Sequence, residues 1–246
     1  MPNNSVLVIR RAQMEALRDS RGMESVVKLE GCLRQSFPRD LARLSGGDLR
    51  AVVRLGMERS RSHGGGTDRD MYLYLTMMFM LGCHFDEDPQ LEWVQDLLAR
   101  NAPIVELHAK TLGYLNVVAG KENEHLIKAL ARIRKLELRS LPDANAADFE
   151  TQVLSLLSSL YPTKFEAQSE KANRELVNLG RSLAGRYSMP GAGAALLSGL
   201  AFLLGAGFDR DAVHPWIGTV LERPGGESKV EELYRRSLEF VEIALS

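Results

Sequence analysis

The feature that most constrains this chain of 246 residues is that its two halves repeat one another. Met80-Leu81-Gly82-Cys83-His84-Phe85-Asp86-Glu87-Asp88, followed by Trp93, Leu98 and Arg100, matches Leu203-Leu204-Gly205-Ala206-Gly207-Phe208-Asp209-Arg210-Asp211, followed by Trp216, Leu221 and Arg223. The offset is 123 at every matched position, half the length of the chain. Upstream it becomes 124, with Phe37-Pro38 against Tyr161-Pro162, Ser45 against Ser169 and Gly56 against Gly180, so one single-residue indel between Gly56 and Gly82 reconciles the registers. Both tryptophans of the protein fall on equivalent positions, which chance rarely arranges. A repeat is read before any element is assigned, because missing it misassigns the whole fold. The expectation is a tandem duplication of one module, with a first copy over 1–101, a connector over 102–141 and a diverged second copy over 142–246. The chain is expected to cross between units at Pro142-Asp143-Ala144-Asn145.

The elements of one copy can be read and checked against the other. Ser45 and Asp48 have the spacing of a capping box ahead of Leu49, Val52, Val53 and Met57, which share one helical face and predict a helix to about Arg61. Gly64-Gly65-Gly66 interrupts the chain, and Thr67 with Asp70 repeats the capping logic before a helix over Met71 to Gly82. Asp88 before Pro89 is a favoured start for a third helix carrying Leu91, Val94, Leu97 and Leu98. In the second copy Ser169, Ser188 with Pro190, and Asp209 or Asp211 stand at the corresponding starts. Each copy also opens with a helix, Met23 to Ser36 and Asp148 to Leu160, stopped by an aromatic-Pro step, since proline disfavours helical geometry at the residue before it. Pro103 to Val118 and Glu122 to Leu138 read as two connector helices hinged at Gly120. Strict two-residue alternation is confined to Val6 to Ile9, so the fold class is all-α.

Apolar residues at 45% and charged residues at 26% describe an ordinary globular chain, long enough to bury a core without a disulfide or metal staple. Lys plus Arg at 31 balance Asp plus Glu at 32, too even for a protein that binds nucleic acid by neutralising phosphates. The apolar windows Met71 to Cys83 and Ala194 to Phe208 fall short of the ~20 residues of a membrane span. Val6 to Ile9 is followed, not preceded, by Arg10 and Arg11, which is the wrong order for an export signal. A cytoplasmic protein with two reduced thiols, Cys32 and Cys83, is the expectation.

Candidate chemistry centres on the repeated Phe-Asp-x-Asp segments: Phe85, Asp86 and Asp88, then Phe208, Asp209 and Asp211. Paired carboxylates can hold a divalent cation or act as acid and base, but an EF-hand loop needs further oxygen ligands and a Glu at position 12 that neither copy has. Carboxylates capping a helix over a core filled by Phe and Trp explain the spacing with no ligand, and predict that Trp93 and Trp216 bury against Phe85 and Phe208. These eight residues are a structural signature and a candidate interface. The five histidines show no zinc spacing, so no metal and no cofactor is expected. Cys83, His84 and Asp86 bring nucleophile, base and orienter types together in sequence, and the second copy replaces the Cys-His pair with Ala206-Gly207. Lys128, Arg132, Arg134, Lys135 and Arg139 are interleaved with glutamates and read as a solvated face, while Met77, Met78 and Met80 read as core filling.

Ile9-Arg10-Arg11-Ala12-Gln13-Met14, Phe37-Pro38, the Arg59 to Gly64 segment before a Thr-x-x-Asp cap, and Leu81-Gly82-x-x-Phe85-Asp86 together resemble a family of small helical proteins. Members are encoded beside VgrG, PAAR and effector genes of bacterial type VI secretion systems. The resemblance covers about residues 7–100; the second half follows it loosely, without the IRxxQM start or the Thr cap. It implies a context rather than an activity, and carries no catalytic residue. The expected function is non-enzymatic: an adaptor, chaperone or immunity protein that binds a secreted effector, VgrG or PAAR-type component. The alternative is an enzyme or effector with a hydrolase-like site around His84 and Asp86.

Overall fold

Proline and capping residues cut the chain into short helices, and the computed structural model of the protein, which describes residues 11–42 and 44–245, is helical throughout with no strand among them. The possible strand at Val6 to Ile9, and Ile9 and Arg10 of the IRxxQM start, lie outside the described residues. Helix α1 (Arg11–Ser36) stops before Pro38 and is followed by α2 (Pro38–Leu41), α3 (Gly46–Ser62) and α4 (Asp68–Leu81). Two 3-10 turns, Phe85–Glu87 and Pro89–Leu91, lead into α5 (Glu92–Ala99), then α6 (Ile104–Ala119) and α7 (Glu124–Arg134). The second half runs α8 (Phe149–Leu160), α9 (Pro162–Glu166), α10 (Glu170–Arg186), α11 (Gly193–Leu204), a 3-10 turn Phe208–Arg210, α12 (Pro215–Leu221) and α13 (Gly226–Leu245).

The expected caps are present at three starts. Ser45 Oγ accepts from Asp48 N at 3.1 Å, Thr67 and Asp70 form a reciprocal capping box, and Ser169 Oγ accepts from Ala172 N at 3.1 Å. Two starts differ from the reading. Ser188 has a positive φ of 52° and belongs to the end of α10, so α11 begins five residues later at Gly193 with no side-chain cap. Neither Asp209 nor Asp211 opens a helix; α12 starts at Pro215 behind His214, and Asp211 instead accepts from Val213 N at 2.7 Å. Asp88 does cap, through Gln90 N at 2.9 Å, but what it opens is the 3-10 turn, with α5 following from Glu92.

Two apolar clusters form the core. The first gathers Leu29 and Leu33 of α1, Leu49, Val52 and Val53 of α3, Tyr74, Leu75, Met77 and Met78 of α4, and Phe85, Val94 and Leu107. The second gathers Phe149, Val153 and Leu157 of α8, Leu176 and Val177 of α10, Ala194 to Phe202 of α11, and Phe208, Ile217, Val220 and Leu233. Within each, two helices cross at a glycine. A Cβ on Gly56 of α3 would overlap the Leu75 side chain of α4, and one on Gly180 of α10 would lie 2.6 Å from the Ala194 carbonyl of α11. Only hydrogen at these positions permits so close an approach.

Trp93 and Trp216 are half-buried, not enclosed against Phe85 and Phe208 as the spacing predicts. The reason is helical phase: Val94 and Leu97 occupy the inward stripe of α5, and Ile217, Val220 and Leu221 that of α12, leaving each Trp on the flank. Trp93 packs on Tyr114 at 5.7 Å between ring centroids, with Lys110 Nζ 5.4 Å above it, while Phe85 pairs with Tyr74 at 4.9 Å. Trp216 lines a small cavity with Ile133, Leu136 and Phe240.

Helices α6 and α7 are integrated rather than spacing the halves apart. The Val118 carbonyl at the end of α6 accepts from Tyr161 Oη at 3.1 Å and Thr163 Oγ1 at 3.2 Å, which ties α6 to α9. Gly120 at φ 76° turns the chain into α7, which packs along α13 and α8.

Candidate functional site

The repeated segments converge where the two clusters meet. Gly82 and Gly205 end α4 and α11 with φ of 103° and 101°, and their backbones touch: a Cβ on Gly82 would lie 2.5 Å from the Leu204 carbonyl, and one on Gly205 would lie 3.1 Å from that of Leu81. Beside them, a Cβ on Gly207 would lie 2.5 Å from His84 Cβ. The glycines that end these helices thus also let two loops press together.

Each carboxylate of the signature is spent on internal donors. Asp86, almost fully buried, accepts from Tyr74 Oη at 2.7 Å, lies 3.1 Å from His63 Nε2, and is paired with Arg59 through Nη1. Arg59 Nη2 reaches Glu87 at 2.8 Å, and Glu87 in turn holds Arg210 of the other half at 2.7 Å. Burial and Asp86 push the Tyr74 hydroxyl well above its usual range. Although burial opposes its charge, Arg59 and Arg210 hold the Glu87 carboxyl below the usual carboxylate range. Asp209 repeats the Asp86 contact more weakly, with Tyr187 Oη at 3.0 Å and Arg186 Nη1 at 3.6 Å. Asp86 and Asp209 therefore anchor 3-10 turns to the ends of α3 and α10; neither caps a helix.

Asp88 and Asp211 reach across the seam. Asp88 Oδ2 accepts from Ala206 N at 2.9 Å as well as from the Gln90 amide at 3.0 Å, and burial raises its pKa. Asp211 takes the Cys83 thiol and lies 3.2 Å from His214 Nδ1; burial opposes its charge, but His214 and the thiol hold its pKa below the ordinary value. Gln90 Nε2 donates to the Ala201 carbonyl at 2.9 Å, and Gln168 Nε2 donates to Gln90 Oε1 at 3.0 Å.

The Cys83, His84 and Asp86 side chains are not brought together as a catalytic set. Cys83 is 1% exposed and donates toward Asp211, and burial pushes its thiol far above the range of a nucleophile. His84 Nδ1 is buried without a partner, and burial followed by Arg210 and Arg59 lowers its pKa. Asp86 turns away to Arg59 and Tyr74. Cys32 stands apart on α1, half-buried. Among the described residues no three His, Cys, Asp or Glu side chains gather to hold a metal, and no helix is long and apolar enough to cross a membrane.

Behind the seam lies a cavity of about 220 Å³ between α4, α6, α7, α9, α11 and α13. Its walls are mostly apolar, including Leu81, Leu115, Val118, Leu130 and Leu204, and its polar edge is formed by Asp88, Gln90, Tyr114 and Lys164. Burial lowers the Lys164 amine to about 8, against a partial opposing pull from Asp88. Sequence reading missed Arg59 as the partner of Asp86, and it missed Gln90, Gln168, Arg210 and Lys164 altogether. The only available signal was the Glu87 to Arg210 charge reversal at equivalent repeat positions. In comparisons with known proteins, no family model, no curated protein and no solved structure matches the chain.

Proposed function

We propose that this chain is a non-enzymatic protein-binding component of the cytoplasm, an adaptor, chaperone or immunity protein for a secreted effector, VgrG or PAAR-type partner of a type VI system. The partner class rests on the sequence resemblance alone. The observation that carries a binding role is the outer side of α6, where Val105, Ala109 and Leu112 share one stripe, Val117 stands further along the helix, and all four are exposed. Val105 and Leu112 are each 48% exposed and Val117 63%, an apolar run that gains from being covered by a partner. The signature carboxylates, by contrast, are engaged in holding the fold.

The architecture we propose for this role is a tandem duplication, 1–101 and 142–246, with 102–141 between them. Its support is that residues at the same place in each copy meet one another: Gly82 with Gly205, His84 with Gly207, Glu87 with Arg210. Contacts between equivalent positions are what an approximate twofold axis through the seam produces.

Co-expression with the products of the adjacent genes tests the reading. The expected result is a stable complex with an interface above ~1,000 Å² that is lost in the Leu112→Asp, Val117→Asp double variant while the helical fold remains. Failure to bind any of these products removes the adaptor, chaperone and immunity readings together.

A further inference from the structure

We propose that the cavity behind the seam is a binding site for a medium-chain aliphatic carboxylate, whose head group pairs with the Lys164 ammonium while its chain fills the apolar walls. The inference is independent of the protein-partner reading, since the ridge of α6 faces outward and this cavity lies on the inner side. Lys164 lines the cavity together with Leu204, Val118 and Tyr161. An ammonium carries three donors, and among the described residues this one meets only the face of the Phe202 ring at 5.4 Å and the field of Asp88. Asp88 does not serve as its hydrogen-bonding acceptor, because both Asp88 oxygens are occupied: Oδ1 by Gln90 N and Nε2, Oδ2 by Gln90 Nε2 and Ala206 N.

Lys164 is partly exposed at the edge of the cavity, and an ammonium there with no bonded acceptor is matched by an anion that brings its own apolar body. The apolar walls specify the body. A dry cavity of ~150 Å³ accommodates benzene, so about 220 Å³ holds roughly nine non-hydrogen atoms, the size of a C7 to C8 chain with its carboxylate. The neighbouring polar groups sharpen the choice of head group. Asp88 is held by three donors, Gln90 N, Gln90 Nε2 and Ala206 N, and favours its neutral form more than an exposed carboxylate does, so it offers little to compete for the Lys164 charge. The Tyr161 hydroxyl is committed to the Val118 carbonyl.

The test is calorimetric titration of the full-length protein with octanoate, 1-octanol and octylammonium at neutral pH, alongside Lys164→Met and Ala119→Phe variants checked for helicity. Octanoate is expected to bind at least ~10-fold more tightly than octanol, and octylammonium more weakly than either. Lys164→Met, which keeps the apolar volume, should abolish the preference for octanoate over octanol. Ala119→Phe, which places a ring in the cavity, should weaken binding of every chain. Octanol binding as well as octanoate, a preference for octylammonium, or an octanoate preference that survives in Lys164→Met would overturn the proposal. If Lys164→Met does not fold, the ranking of the three ligands on the unaltered protein and the Ala119→Phe result still decide it.

Discussion

His84 is 9% exposed, its Nδ1 has no partner, and two guanidinium groups lie close by, so the fold disfavours its charged form. A histidine whose folded pKa lies below its unfolded value binds fewer protons when folded. Its contribution to stability is complete above the ordinary value of about 6.5 and is lost as pH falls below it toward the folded value. Urea midpoints should therefore decline between pH 7.5 and 5.5, and His84→Gln should flatten that decline; an unchanged slope would show that His84 is not the group responsible. The glycines offer a second comparison at this scale. Gly82→Ala combines a positive φ with a backbone carbonyl 2.5 Å from the new Cβ, and should cost ~2 to 4 kcal/mol. Gly31→Ala, on α1 with nothing within 4 Å, should instead stabilise by ~0.5 to 1 kcal/mol. Paired denaturation curves decide whether the seam or the generic helix preference governs each site.

Among the elements, α4 depends on a single threonine for its start: the Thr67 hydroxyl accepts from Asp70 N while Asp70 accepts from Thr67 N and Gly66 N. Thr67→Ala should cost ~1 kcal/mol, and Thr67→Ser should restore most of it, as read by thermal or urea unfolding. Starts of this kind are legible in sequence because the cap oxygen and the backbone N–H that donates to it are three residues apart, and so α3, α4 and α10 begin where Ser45, Thr67 and Ser169 place them. The start of α11 is not, because Gly193 follows a Pro190-Gly191 turn with no side-chain cap, while Ser188 closes α10 through the Met189 N to Ala184 carbonyl bond. Trp burial is not legible for a related reason: spacing places a residue on a helix, but its neighbours on the stripe decide whether it faces inward. The candidate site is less legible still. Gln90 and Gln168 are 78 residues apart, Glu87 and Arg210 are 123 apart, and no local pattern links such partners. Lys164 follows Tyr161-Pro162 as a surface lysine follows a turn, and only the packing of α6, α11 and α13 around it places it at the edge of an apolar cavity.

On the scale of the whole molecule, the open question for a chain whose core forms two apolar clusters is whether its halves unfold together. The separate clusters favour independent melting, but the seam opposes it. Asp88 bonds Ala206 N, Gln90 bonds the Ala201 carbonyl and Gln168, Asp211 takes the Cys83 thiol, and Tyr114 packs against both clusters. Opening either half would strand buried donors and acceptors of the other, at ~1 to 3 kcal/mol for each group left unpaired. One cooperative transition is the expected outcome. The two tryptophans make it measurable, since Trp93 flanks the first cluster and Trp216 the second. Single-tryptophan variants, with the other position changed to Phe, should give coincident urea midpoints by fluorescence. Asp88→Ala, which strands Ala206 N and two Gln90 donors, should then lower both midpoints together, although the aspartate belongs to the first half. If Asp88→Ala shifted the Trp93 transition and left that of Trp216 in place, the seam would be a contact between two autonomous units. A common shift makes it the joint through which each half completes the other.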